Sequence, residues 1–150
     1  MDHSMKAAEL FLHGYNCAQA VAVAYCDLLG MKEEYAAKLA SGFGGGMGGL
    51  REVCGAVSGM NLVLGCLYGY ESPTDDEAKK LLYSQVRQLA EQFREQTGSI
   101  ICREILRNPS TDPTPSPRTA EYYKSRPCAW MVVLAARILD EYIAAHPIDA

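Results

Sequence analysis

The residues of this chain with the most chemistry in them are its cysteines, and four of the six occupy comparable places. Cys17 follows Gly14-Tyr15-Asn16, Cys54 follows a run of glycines, Cys102 follows Gly98-Ser99 and Cys128 follows Pro127. Each is predicted to lie in or near the first turn of a helix. Unpaired backbone N–H groups there favour a thiolate, which is both the nucleophile of disulfide exchange and a metal ligand. Arg51, Arg103 and Arg126 stand close in sequence to three of these cysteines and push the same way.

The chain holds no Cys-x-x-Cys pair, so neither a thioredoxin motif nor a zinc ribbon is encoded locally. Any centre has to be assembled by the fold. Four thiolates brought together from four helices could hold an iron–sulfur cluster or a tetrahedral zinc, or form one or two exchanging disulfides, and spacing alone does not choose among these. Cys26 and Cys66 are set apart. On straight helices they would lie roughly 13 Å from Cys17 and roughly 18 Å from Cys54. Both are expected to be small buried apolar residues.

Beside Cys54 runs the second concentration of signal, Gly42-Phe43-Gly44-Gly45-Gly46-Met47-Gly48-Gly49. Gly44, Gly45, Gly46, Gly48 and, beyond the cysteine, Gly55 are the candidates for holding a cofactor, as a backbone nest for an anion or against the sulfurs of a cluster. Close helix crossing explains the same glycines without a ligand. The fit of Gly44-x-Gly46-x-x-Gly49 to a dinucleotide fingerprint carries little weight, because the run follows a predicted helix and not a strand. Asn16 reads as a helix cap, although it or Tyr15 could hydrogen-bond a thiolate. Glu52 could accept a thiol proton, yet a first-turn acid is expected from the helix dipole alone. His13 reads as a surface residue, and His3 and His146 carry no signal.

The elements that must position these residues are helical. Ser4–Leu12 forms a short helix that Gly14 ends, and Cys17 to about Leu29 continues as an alanine-rich helix stopped by Gly30. Glu33–Ser41 makes a third. A central buried, glycine-rich helix runs from about Glu52 to Gly69 or Tyr70. Ser72 to Glu77 is a start signal for a long amphipathic helix with Ala78, Leu82, Val86, Leu89 and Phe93 on one face. Ile100–Arg107 is a short helix, Asn108–Pro117 a proline-rich surface loop, and the last helix runs from Pro127 to about Ala145. No strand pattern of any length occurs. The expected fold is all-α, an array of five to seven helices in a single domain over residues 1–150.

Composition narrows the function classes. With 49% apolar and 21% charged residues the chain is an ordinary globular one, and a net charge of −4 without a Lys or Arg run excludes a general nucleic-acid surface. The uncharged stretch from Val53 to Tyr70 is interrupted by glycines, Ser58 and Asn61, so no membrane insertion is expected. The N-terminal residues lack the apolar core of a signal peptide, so the expected compartment is the cytoplasm, where cysteines act as thiols, ligands or redox groups. No Ser-His-Asp order or Walker loop supports hydrolysis or phosphoryl transfer.

Taken together, Gly14-Tyr15-Asn16-Cys17-Ala18-Gln19-Ala20-Val21, the run from Gly42 to Gly48, Cys54-Gly55-Ala56-Val57-Ser58-Gly59, Gly98-Ser99 with Cys102, and Cys128 resemble the C_GCAxxG_C_C family. These are redox-active proteins defined by four separated cysteines and a Cys-Gly-Ala-x-x-Gly motif. The resemblance spans most of the chain and carries the four family cysteines onto Cys17, Cys54, Cys102 and Cys128. It implies a redox or metal role and names no substrate. Related domains in helical cytochrome and iron–sulfur contexts favour a cluster, while the absence of Cys-x-x-Cys-His excludes a c-type haem. Cys26 and Cys66 depart from the four-cysteine pattern.

The function expected is therefore a redox-active protein, an oxidoreductase or electron carrier, whose four cysteines converge on a metal centre, iron–sulfur before others, or exchange disulfides. Its partners would be a redox protein or a small-molecule thiol, and glycine- and alanine-rich helices would suit a homo-oligomer. The alternative is a non-catalytic structural or interaction protein with zinc-bound or free cysteines.

Overall fold

The computed structural model describes residues 2–107 and 109–148, with Lys124 and Ser125 described by their backbone alone. It is all-α. Among the described residues there are nine α-helices: α1 (His3–Leu12), α2 (Cys17–Ala24), α3 (Cys26–Leu29), α4 (Glu33–Ala40), α5 (Gly55–Tyr68), α6 (Asp76–Thr97), α7 (Cys102–Leu106), α8 (Ala120–Ser125) and α9 (Cys128–Ala145).

Two features account for the helices beyond the expected five to seven. The alanine-rich helix divides at Tyr25, which ends α2 and begins α3 with φ −101° and ψ 10°. Tertiary contacts override helix propensity there. Tyr25 is fully buried, and its hydroxyl donates to Ala136 O at 2.7 Å and to Asp140 at 2.9 Å. The second feature is α8, which follows the proline-rich segment. Thr119 caps it by accepting from Tyr122 N–H, and Glu121 stands in its first turn, so a start signal was present in the sequence.

The apolar faces of α1, α2, α5, α6 and α9 pack into one core containing Phe11, Tyr25, Met60, Leu64, Leu89, Phe93 and Leu139. On α6 the expected face points inward at Leu89 and Phe93, with Leu82 and Val86 half-buried at its margin. Burying each large side chain of this kind contributes roughly 1.5–3 kcal/mol. Asp75 caps α6 through Ala78 N–H at 3.1 Å, and Gly98 ends it in the left-handed region.

Contact between α2 and α5 sets the position of the cysteines. A Cβ at Gly59 would come within 2.7 Å of Ala18 O, and one at Gly55 within 3.1 Å of Cys17 Cβ. The first distance is shorter than packed side chains allow and the second is tight, so the Cys-Gly-Ala-x-x-Gly motif is a groove cut for α2. The other face of α5 departs from the expected all-round burial. Ser58, Asn61, Leu62, Gly65 and Cys66 follow helical spacing along it and line an open groove with Phe43, leaving Gly65 and Cys66 exposed. Among the described residues no helix is long and apolar enough to cross a membrane.

Candidate functional site

Three of the four family cysteines open a helix as its first residue: Cys17 in α2, Cys102 in α7 and Cys128 in α9. Cys54 is the cap residue of α5, which starts later than about Glu52 because residues 51–54 pair with residues 100–103. An isolated antiparallel bridge joins Val53 to Ile101. Around it, Cys54 N–H donates to Ile100 O at 2.7 Å, Cys102 N–H to Glu52 O at 2.6 Å and Arg103 N–H to Arg51 O at 3.0 Å. This short ladder, invisible as a strand pattern, brings two distant cysteines side by side.

The glycine loop feeds that ladder. Gly46 has φ +71°, and a Cβ on it would meet the backbone of Arg51 and Glu52 at 2.7 Å. Glu52 N–H returns to Gly46 O at 2.9 Å, so the loop curls over the segment leading to Cys54. Gly44 is required for another reason. A Cβ there would lie 2.5 Å from the side chain of Asn16, which caps α2 in a reciprocal pair with Gln19.

All four cysteines line one cavity of about 450 Å³, together with Gly44, Gly45, Gly46, Gly48 and Gly55. Residues 112–116, which pass beside Gly49, and Arg51, Arg118 and Arg126 also line it. Arg51 donates to Cys102 Sγ at 3.8 Å and to Ser110 O at 2.9 Å. Arg118 donates to Phe11 O and Tyr15 O, and its guanidinium sits 4.7 Å from the Phe11 ring centre.

The four thiols are not equivalent. Cys17 and Cys128 are neighbours in this cavity, and hydrogen bonding between them is the leading influence on the ionisation of both. It is the first cause that holds the Cys128 thiol down, to about 7, with Arg126, Arg51 and Arg118 pulling the same way against burial. Cys17 is pushed up by that hydrogen bonding and by burial. Burial pushes Cys54 up to about 12, outweighing the N–H groups of Ala56 and Val57. Cys102 is likewise raised by burial, against the Arg51 contact. Helix-start placement alone predicts thiolates at all four positions, but desolvation wins at Cys54 and Cys102, and Cys17 is raised by its neighbour Cys128 and by burial. Cys128 is the one of the four held below its ordinary value.

Several sequence candidates lie outside the cavity. Arg103 is paired with exposed Glu52 at 2.9 Å, so neither residue acts on a thiol. Asn16 lines the cavity but its side chain serves Gln19 and Ser41, while Tyr15 contributes its carbonyl to Arg118. His13 and His146 are exposed. Cys26 is half-buried at the start of α3, and Cys66 is exposed, which corrects the expectation of burial. Arg118 was missed from the sequence. It follows the proline-rich stretch and precedes Tyr122-Tyr123, but nothing local shows that it reaches back to Phe11.

A metal centre meets a mixed test. The donor types suit iron–sulfur or zinc, since four thiols share one cavity. Their placement does not, because among the described residues no three His, Cys, Asp or Glu side chains are grouped closely enough to hold a metal ion. Nor is any disulfide formed, all six cysteines being free.

Comparison with curated proteins and with solved structures finds no match. A family model described as "Putative redox-active protein (C_GCAxxG_C_C)" matches residues 15–142, a span that contains all four cavity cysteines. With most of its length matched, and with the motif glycines Gly55 and Gly59 cutting the groove that brings Cys54 to Cys17, the chain belongs to the C_GCAxxG_C_C family of redox-active proteins.

Proposed function

We propose that the chain is a thiol–disulfide oxidoreductase of a reducing compartment, the cytoplasm, whose working pair is Cys128 and Cys17. The observation that carries this reading is that both cysteines line one cavity with Arg51, Arg118 and Arg126, where Cys17 and the three guanidiniums hold the Cys128 thiol down. A thiolate with a titration point near ambient pH is close to the optimum for attack on a disulfide.

In the oxidising direction for the protein, the Cys128 thiolate attacks one sulfur of a disulfide RS–SR. The S–S bond breaks, a Cys128–S–S–R mixed disulfide forms, and RS⁻ leaves and takes up a proton. Cys17 then loses its proton and attacks the Cys128 sulfur, forming the Cys17–Cys128 disulfide and releasing the second RS⁻. Two electrons pass to the substrate, and of the two protons its thiols take up one comes from Cys17 and one from solvent. The reverse sequence oxidises thiols.

Replacing Cys17 by Ser should stop the sequence after the first attack. Mass spectrometry of the full chain treated with a small disulfide should then find a stable adduct on Cys128, whereas the wild type accumulates a Cys17–Cys128 bond. Adducts spread over the other cysteines, with none on Cys128, would sink the proposal.

A second reading places an iron–sulfur or zinc centre on Cys17, Cys54, Cys102 and Cys128. Their common cavity favours it and their spacing speaks against it. Anaerobic purification with metal analysis and visible absorption separates the two, since a coloured protein with iron and acid-labile sulfide would reverse the preference.

A further inference from the structure

The three arginines around the cysteine cavity are unusual in what they lack. Arg51, Arg118 and Arg126 are each half-buried, and among the described residues none is in an ion pair with a carboxylate. Their contacts are neutral: backbone oxygens, the Cys102 sulfur, the Ser116 hydroxyl at 3.4 Å from Arg126, and the faces of Phe11, Tyr122 and Tyr123. Keeping a guanidinium half out of water without an opposite charge is unfavourable, and such groups are retained where an anion supplies what the protein does not.

Charge around the cavity is one-sided. The three guanidiniums act on Cys128, and among the described residues of the lining the one acid is Asp112, whose carboxylate accepts Thr114 N–H at 2.9 Å. Formation of a mixed disulfide removes the thiolate's charge and raises the positive excess at the moment a substrate fragment is held. This excess stands on a chain whose net charge is −4, so it is local to the site. At about 450 Å³, the cavity is of small-molecule size.

We infer that the substrate exchanging with Cys128 and Cys17 is a low-molecular-weight disulfide carrying carboxylates, seated with its anionic groups on Arg51, Arg118 and Arg126. The inference rests on the dithiol reading and adds a substrate class to it. Arginine suits the role because its planar fork matches a carboxylate in two parallel hydrogen bonds.

The test uses the reduced full chain and three disulfides of similar size: those of mercaptopropionate, mercaptoethanol and cysteamine, which carry negative, no and positive charge. Each oxidation rate is divided by that disulfide's rate with free mercaptoethanol, which removes intrinsic reactivity. The expected order is anionic, neutral, cationic, with about tenfold or more between the extremes and a narrower gap at high salt. Arg126→Gln should narrow the gap and Arg126→Lys should retain most of it. Equal corrected rates, with the Cys17–Cys128 bond still formed, would overturn the anionic substrate and leave the dithiol reading standing. Failure of every disulfide to form that bond would overturn both.

Discussion

Two charged clusters in this molecule handle their charge in opposite ways. Around His3 everything is partnered. His3 is 4% exposed, its Nδ1 lies 2.6 Å from Asp140, its Nε2 lies 2.9 Å from Asp27, and its ring stacks on Tyr25 at 4.1 Å. His3 N–H also donates to Asp140 at 3.0 Å, and the Tyr25 hydroxyl, its ionisation pushed far up by burial and Asp140, donates to the same carboxylate. The network ties α1 to α3 and α9. Around the cysteine cavity three guanidiniums have no ion-paired carboxylate among the described residues, and Cys128 is held down next to a Cys17 that is pushed up. A saturated network holds helices together and has nothing left to offer a ligand. An unsaturated one costs stability and keeps its charge available.

If that contrast is sound, substitutions in one cluster change chemistry without stability and those in the other do the reverse. The largest effect is expected at Cys128. Cys128→Ser should lower the iodoacetamide alkylation rate of the folded chain at neutral pH by on the order of a hundredfold, because the remaining cavity thiols are protonated, while the melting temperature changes little. Exposed Cys66 reacts as a background and is removed beforehand by Cys66→Ser.

The wild-type rate should also follow pH with the right sign. A thiol held down to about 7 is protonated and slow below that value and reaches its plateau above it. In Cys17→Ala the stabilising hydrogen bond is gone, so the midpoint should move upward. A midpoint unchanged in that variant would assign the shift to the arginines alone.

Next in size is His3→Ala, which leaves two partly exposed carboxylates facing each other. Melting should show a loss of about 1–3 kcal/mol, less than for a fully buried pair, with the alkylation profile of Cys128 unaltered. A change in that profile would break the separation between the clusters. The smallest effect belongs to Arg103→Gln. Its ion pair with Glu52 is exposed on both sides, so stability should shift by less than about 1 kcal/mol and Cys102 chemistry not at all.

Legibility in the sequence followed the range of the forces involved. Helix starts at Cys17, Cys102 and Cys128 were readable because Asn16 capping, the glycine before Cys102 and Pro127 act within one turn. The face of α6 was readable for the same reason, its spacing being a property of the helix itself. The break at Tyr25 was not, since it is decided by Asp140 and Ala136 more than a hundred residues away. The start of α5 was misplaced because pairing with residues 100–103 competes with helix there. His3 was passed over since its partners, Asp27 and Asp140, are remote in sequence.

What the residues determined by themselves is the all-α class, the four cysteines at helix starts and the family they mark. Those depend on local hydrogen bonding, capping and side-chain period, which each short stretch carries with it. Only the tertiary structure decided which thiol is held down and what surrounds it. Desolvation and long-range charge are properties of a folded environment, and they separate Cys128 from three cysteines that the sequence presents as its equals.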